Sequence, residues 1–159
     1  MIHLEKVTAD NIWKIVKLDV NATQKNFVAS NTESILEAYT TITSGGVALP
    51  FGIYEDDCLV GFVMFGYGTV DGEDDPVVAE GNYCIWRLMI SSEYQGKGYG
   101  KKAMQAALDY IRTFPCGKAE YCWLSYEPEN EVAKNLYASF GFEENGEKSE
   151  EEIVAVLKL

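Results

Sequence analysis

Histidine is almost missing from this chain: His3 is the single one in 159 residues. That excludes His-Cys zinc spacings, and it leaves the C-terminal half to find any general base among other groups. The four cysteines, Cys58, Cys84, Cys116 and Cys122, contain no C-x-x-C spacing, and three of them sit in or beside apolar strand-like runs, so reduced structural thiols are expected. No run of 18 apolar residues exists, and Met1-Ile2-His3-Leu4-Glu5-Lys6 alternates like a first strand rather than forming an apolar signal core. A soluble, cytoplasmic chain with no membrane partner is the expectation. Basic residues are also scarce, 13 Lys and Arg against 25 Asp and Glu for a net charge of −12. Nucleic acid is therefore excluded as a partner, because neutralising phosphates takes clustered cations. The acidity suits a cationic partner, and it equally suits solubility alone.

Repeats, low-complexity tracts and Pro/Ser-rich linkers are absent as well, so residues 1–159 are expected to form a single domain. At 47% apolar composition such a chain buries roughly two thirds of its unfolded surface.

What is present is an ordered alternation of patterns. A strand over 2–7 leads to a helix capped by Thr8 or Asp10, with Ile12, Ile15, Val16 and Trp13 on one face. Residues 25–31 read as a loop, and a second helix runs from Thr32 to Thr41. After Gly45-Gly46 come strands Ala48–Tyr54 and Leu59–Tyr67, joined by the polar turn Glu55-Asp56-Asp57. A loop over 68–81 carries Asp71, Glu73, Asp74, Asp75 and Glu80; Pro76 in place of the required glycine excludes an EF-hand. Tyr83–Ile90 is nearly continuously apolar, as a central strand is. Ala103, Met104, Ala107, Leu108, Ile111 and Phe114 then mark a helix. Strand Tyr121–Tyr126 leads through Pro128 to a helix with Val132, Ala133, Leu136, Tyr137 and Phe140 on one face, closed by Gly141. Asn145-Gly146 suits a turn into the last strand, Ile153–Leu159.

Between the central strand and its following helix lies Gln95-Gly96-Lys97-Gly98-Tyr99-Gly100. A helix N-terminus presents unpaired N–H groups and partial positive charge, and glycines let an anion approach them. Lys97, Lys101 and Lys102 add positive charge there. A P-loop fails, because Lys102 stands where Ser or Thr is required and Gln95 where the first glycine belongs. Gly98, Gly100 and Ala103 match G-x-G-x-x-G/A, but the second half of a dinucleotide fold does not follow. Taken alone, the loop is an anion site or a tight turn.

Gln95-x-x-Gly98-x-Gly100, preceded by Leu88-Met89-Ile90 and followed by Asn130-x-x-Ala133-x-x-Leu136-Tyr137-x-x-x-Gly141-Phe142, resembles the GNAT N-acetyltransferase superfamily. More narrowly, Ile85–Ile90, Tyr94–Lys101 and Leu124–Asn130 look like bacterial spermine/spermidine (diamine) acetyltransferases. The resemblance implies an α/β (α+β) fold: a mixed, mostly antiparallel sheet of about seven strands, helices on both faces, and a splay between strands 83–90 and 121–126. It implies acetyl-CoA as co-substrate, no metal, and a small-molecule amine, a polyamine first, as acceptor. Many relatives resemble homodimers that meet through C-terminal strands or sheet edges.

By the same resemblance, Leu88, Met89, Ile90, the loop Gln95, Gly96, Lys97, Gly98, Tyr99, Gly100 and Lys101, together with Asn130 and Tyr137, contact the cofactor. Tyr137 occupies the general-acid position; without the motif it reads as a core tyrosine, and Asn130 reads as an ordinary helix cap. A backbone N–H of Met89 or Ile90 is the candidate stabiliser of charge on the thioester oxygen. An acceptor ammonium costs about 4 to 5 kcal/mol to deprotonate at neutral pH, so a base or water relay is needed. Some polyamine-acetylating relatives carry a glutamate where this chain has Trp86, which leaves Glu80, Glu33, Glu37 or Tyr83 as candidates. Glu33, Glu37, Glu80 and Trp86 are the expected substrate contacts, with a solvated helix face as the alternative for Glu33 and Glu37. Arg87 either pairs with an acid near the substrate or lays its stem across the sheet. Rival functions are acetylation of another amine (an aminoglycoside, an amino acid or a protein N-terminus) and a non-catalytic acyl-CoA sensor.

Overall fold

The computed structural model describes residues 1–69 and 75–159. The elements run β1 (Ile2–Lys6), α1 (Ile12–Ile15), α2 (Asn31–Thr43), β2 (Val47–Glu55), β3 (Cys58–Tyr67), β4 (Tyr83–Ile90), α3 (Tyr99–Ile111), β5 (Tyr121–Tyr126), α4 (Glu131–Ser139), β6 (Glu143–Ser149) and β7 (Glu152–Lys158). The strands form one sheet in the order β1-β2-β3-β4-β5-β7-β6. Every neighbouring pair is antiparallel except β4 and β5, which are parallel. This is the mixed, mostly antiparallel seven-stranded sheet with helices on both faces that the resemblance implied.

Alternation along the strands sorts the core into two layers. On one face Phe51, Val63, Phe65, Tyr83, Ile85 and Leu124 pack with Ala103, Met104, Ala107, Leu108 and Ile111 of α3. Each of the larger α3 side chains, fully buried, contributes on the order of 2 kcal/mol by leaving water. On the other face Phe62, Met64 and Met89 pack with Ile15 of α1 and Ala38 of α2.

Two irregularities open this sheet at its centre. First, β4 and β5 share only the pairs Tyr83↔Cys122 and Cys84↔Trp123, although both strands continue beyond them. From there to Ile90 the β5-facing edge of β4 has no strand partner among the described residues. Second, Met64 pairs with Arg87 while Phe65 pairs with Ile85, so Trp86 is an extra residue in β4. Such a bulge turns two consecutive side chains to one face: Trp86 packs with the Ile15 layer and Arg87 reaches Glu37 of α2, whereas Leu88 and Ile90 return to the α3 layer.

Several boundaries differ from the sequence reading. α1 is a single turn, and Trp13, expected on its buried face, is 72% exposed. Its N-terminal cap residue is Asn11, whose side chain accepts from the Thr8 N–H and donates to the Lys6 carbonyl. Phe114 lies past the end of α3 with φ +55°. Asn145-Gly146 does not make the final hairpin turn; it lies inside β6, where the register with β7 shifts between Glu144 and Lys148. The chain reverses instead at Glu150-Glu151, with Glu150 at φ +54°. Asp71, Glu73 and Asp74 lie outside the described residues. None of the cysteines is disulfide-bonded; Cys122 is buried, whereas Cys58 is exposed, with its thiol 3.3 Å from the Tyr94 hydroxyl.

Candidate active site

A cleft of about 890 Å3 occupies the gap where β4 and β5 part. Its walls come from both faces of the sheet, and they differ in kind.

On the α3 face the wall is largely backbone. Gly96 and Gly98 hold φ of +77° and +79°, left-handed values that a side-chain-bearing residue adopts only under strain. An added Cβ at Gly96, Gly98 or Gly100 would meet nothing within 4 Å, so the approach to the helix is open. Gly98 caps α3 without a side chain, and the N–H groups of Tyr99, Gly100 and Lys101 find no acceptor among the described residues. Unpaired donors, the positive end of a helix dipole and open space in front of them fit a pyrophosphate. Gln95 acts as a staple instead. Its amide donates to the Ile90 carbonyl and the Gln24 side chain and accepts from Asn21, tying the 21–24 turn to the end of β4. Leu88, Met89, Ile90, Gln95, Gly96, Gly98, Tyr99 and Gly100 line the cleft; Lys97 and Lys101 do not, and the Lys97 ammonium lies 5.5 Å from the Tyr94 ring centre.

The apolar face of α4 divides its side chains between sheet and cleft. Ala133 and Tyr137 pack on the α3-side core and also line the cleft, joined there by Leu136 and by Val132, which is 77% exposed and so lies off the core where the sequence placed it. The Asn130 side-chain oxygen accepts from the Ala133 N–H at 3.2 Å, capping α4, and the residue lines the cleft too. The Tyr137 ring sits 5.9 Å from that of Tyr126 and 6.2 Å from that of Phe142. Among the described residues no group hydrogen-bonds its hydroxyl. Burial, then the negative potential of Glu152 and Cys84, pushes the phenol up to about 12, so it carries its proton at any working pH.

On the α2 face the wall is side chains. Ser30 caps α2 by accepting from the Glu33 N–H, and the buried Asn31 amide donates to the Ile15 carbonyl beside Met89, fixing the start of the helix over the cleft. Of the residues expected to contact the substrate, Glu33 and Trp86 line the cleft. Glu37 does not; both its oxygens accept from one Arg87 nitrogen at 3.1 and 3.2 Å, so Arg87 takes up the ion-pair alternative. Glu80 also lies outside the cleft lining. Tyr83 is fully buried, its hydroxyl donating to the Gly117 carbonyl and accepting from the Cys116 N–H, which removes it as a base.

Sequence reasoning missed Ser125, Glu127 and Glu152, all in the cleft lining. Trp123 lies on the face away from α3 with Val154 and Val156, so alternation puts Ser125 on that face through β5 and Glu152 there through β7. Ser125 donates to Glu152 at 2.9 Å. The signal was visible as spacing, but it acquires meaning only once β5 and β7 are known to be neighbours.

Residues 15–142 match the family model described as Acetyltransferase (GNAT) family. The chain belongs to the GNAT acetyltransferase family. Family membership makes it an acetyltransferase that uses acetyl-CoA. It is 32% identical over 146 residues to the spermine/spermidine N(1)-acetyltransferase of Bacillus subtilis (strain 168), covering 92% of this chain and 90% of that one. Among solved structures, the fold matches an aminoglycoside acetyltransferase in complex with coenzyme A at a TM-score of 0.78 and 15% identity, over 99% of this chain and 95% of the other. It also matches a spermidine N-acetyltransferase from Vibrio cholerae, in complex with CoA and spermine, at a TM-score of 0.67 and 19% identity, again over 99% and 95%. Among the described residues no helix is long and apolar enough to cross a membrane.

Proposed function

We propose that this acetyltransferase moves the acetyl group of acetyl-CoA onto a primary amine of a linear polyamine, spermine or spermidine, by direct attack within a ternary complex. The observation that carries this reading is the two-faced cleft: an anion-binding helix N-terminus opens into it from one side and the carboxylates Glu33, Glu127 and Glu152 line it from the other. A diphosphate-bearing donor matches the first wall, and an acceptor with several ammonium groups matches the second. The names of the Bacillus and Vibrio relatives support the same class of acceptor.

In this reading acetyl-CoA is a substrate whose pyrophosphate rests on the N–H groups after Gly98. Its pantetheine arm runs through the gap against the unpaired edge of β4, at Leu88, Met89 and Ile90. That edge supplies backbone N–H groups to the thioester oxygen, where negative charge develops. Tyr137, protonated and without a competing hydrogen bond, donates to the departing sulfur. Trp86 and Glu33 contact the acceptor.

Release of coenzyme A thiol, measured with acetyl-CoA and a panel of spermine, spermidine, putrescine, an aminoglycoside and peptides, tests the reading. Turnover on spermine or spermidine well above the rest is expected. Turnover confined to the aminoglycoside or peptides would replace the acceptor, and none on any amine would replace catalysis with acyl-CoA sensing.

A further inference from the structure

The carboxylates lining the cleft are not equivalent, and their positions divide the labour between them. Glu33 stands in the first turn of α2, an exposed position on a helix whose body packs over β2. Glu152 already accepts from Ser125. Glu127 follows directly on β5, the strand that forms one wall of the gap, and its carboxylate makes no hydrogen bond among the described residues. Pro128 comes next, and a residue before proline is held in the extended region, so the alternation of β5 carries on through Glu127. Glu127 therefore shares the Trp123 and Ser125 face, opposite the face on which Tyr137 packs. The parallel pair Cys84↔Trp123 sets Trp86 level with Ser125, and Glu127 is the next position outward on that face.

Building on the acetyl-transfer reading above, we propose that Glu127 is the catalytic base that takes the proton from the acceptor's reacting ammonium. The ammonium gives one proton to the Glu127 carboxylate, and the freed nitrogen lone pair forms the C–N bond to the thioester carbonyl carbon. The C–S bond breaks with its electron pair going to sulfur, which receives the Tyr137 proton. The nitrogen's second surplus proton restores the phenol through solvent, and Glu127 releases its own to bulk water. One proton is released per acetyl group transferred.

The surroundings of Glu127 favour proton uptake. Partial desolvation raises its carboxyl above the ordinary range, followed by the like charges of Glu152, Glu129, Glu151 and Glu150. The other titratable and charged groups lining the cleft include Glu33, Tyr137 and two cations that already hold acids: Arg87 on Glu37 and Lys25 on Asp19. A carboxylate with raised proton affinity takes a proton from an ammonium more readily than an ordinary one.

The test is the pH profile of kcat/KM for spermine, from roughly pH 4, near the ordinary carboxylate range, up to about 10, in the wild type, Glu127→Gln and Glu129→Gln. The wild type should rise with pH and level off once Glu127 ionises. Glu127→Gln should lose on the order of 100-fold near neutral pH, rise steadily with the free-amine fraction, and keep its KM for acetyl-CoA. Glu129 is exposed and outside the cleft lining; its replacement should leave the plateau unchanged and move the acid limb to lower pH, since one repelling charge is gone. A Glu127→Gln enzyme with the wild-type plateau and limb, or one depressed equally at every pH, would overturn the assignment. Wild-type inactivity on every amine would count against the acetyl-transfer reading itself, whereas an active wild type with an unchanged Glu127→Gln counts against Glu127 alone.

Discussion

On the α3 face the cleft wall is made of main chain: two left-handed glycines, a helix start with unpaired N–H groups, and a strand edge that its neighbour has left. On the α2 face it is made of side chains from four separate elements: Glu33 from α2, Trp86 from β4, Glu127 after β5 and Glu152 from β7. A diphosphate and an amide-bearing arm are common to every use of one donor, so a wall of backbone that tolerates side-chain drift serves it. An acceptor amine is recognised by charge spacing, which only side chains supply. The donor half of such a site is therefore concentrated in one stretch of sequence, and the acceptor half is scattered.

The contrast between the walls is strained hardest at Tyr137, which belongs to the donor wall but in the proposed reaction acts where the two walls meet. Tyr137→Phe should lower kcat on the order of 100-fold while leaving the KM for acetyl-CoA within about threefold. Because the phenol is pushed up to about 12, wild-type kcat should show no alkaline limb from this group below roughly pH 10. An unchanged kcat in the variant would return Tyr137 to the core.

A smaller effect is expected at Gly98. An added Cβ meets nothing there, so Gly98→Ala tests backbone conformation alone. Left-handed strain of about 1 to 2 kcal/mol, if relieved by moving the loop, corresponds to roughly a tenfold rise in the KM for acetyl-CoA, with the KM for spermine unmoved. Weakest of all is Glu33→Gln, which removes one contact of about 0.5 to 1 kcal/mol at a solvent-open wall. The spermine KM should rise about three- to fivefold and that for acetyl-CoA should stay. If either substitution shifted both KM values together, the walls would not be separable.

The same contrast explains which features the sequence could reveal. Strands 83–90 and 121–126 were legible to the residue because central strands are apolar on both faces, and the helix after Gly98 because its buried stripe is long. The turn at Glu150-Glu151 was not, because Asn145-Gly146 carries the stronger turn chemistry and the sheet uses it as an irregularity inside β6 instead. Trp13 misled because α1 is too short to have a buried stripe. The bulge that turns both Trp86 and Arg87 towards α2 leaves no mark in the composition of β4; it follows from the register with β3. Glu37 looked like Glu33's partner in substrate binding, and only the fold brings Arg87 up to claim it.

Whether donor and acceptor enter from opposite faces and meet in the gap between β4 and β5 is decided by a crystal structure of the chain with coenzyme A and spermine. Pyrophosphate oxygens are expected on the N–H groups after Gly98, the sulfur in the gap within reach of the Tyr137 hydroxyl, and a spermine amine between that sulfur and Glu127. Spermine bound on the α4 side, or a coenzyme A arm that does not pass between the two strands, would contradict this arrangement.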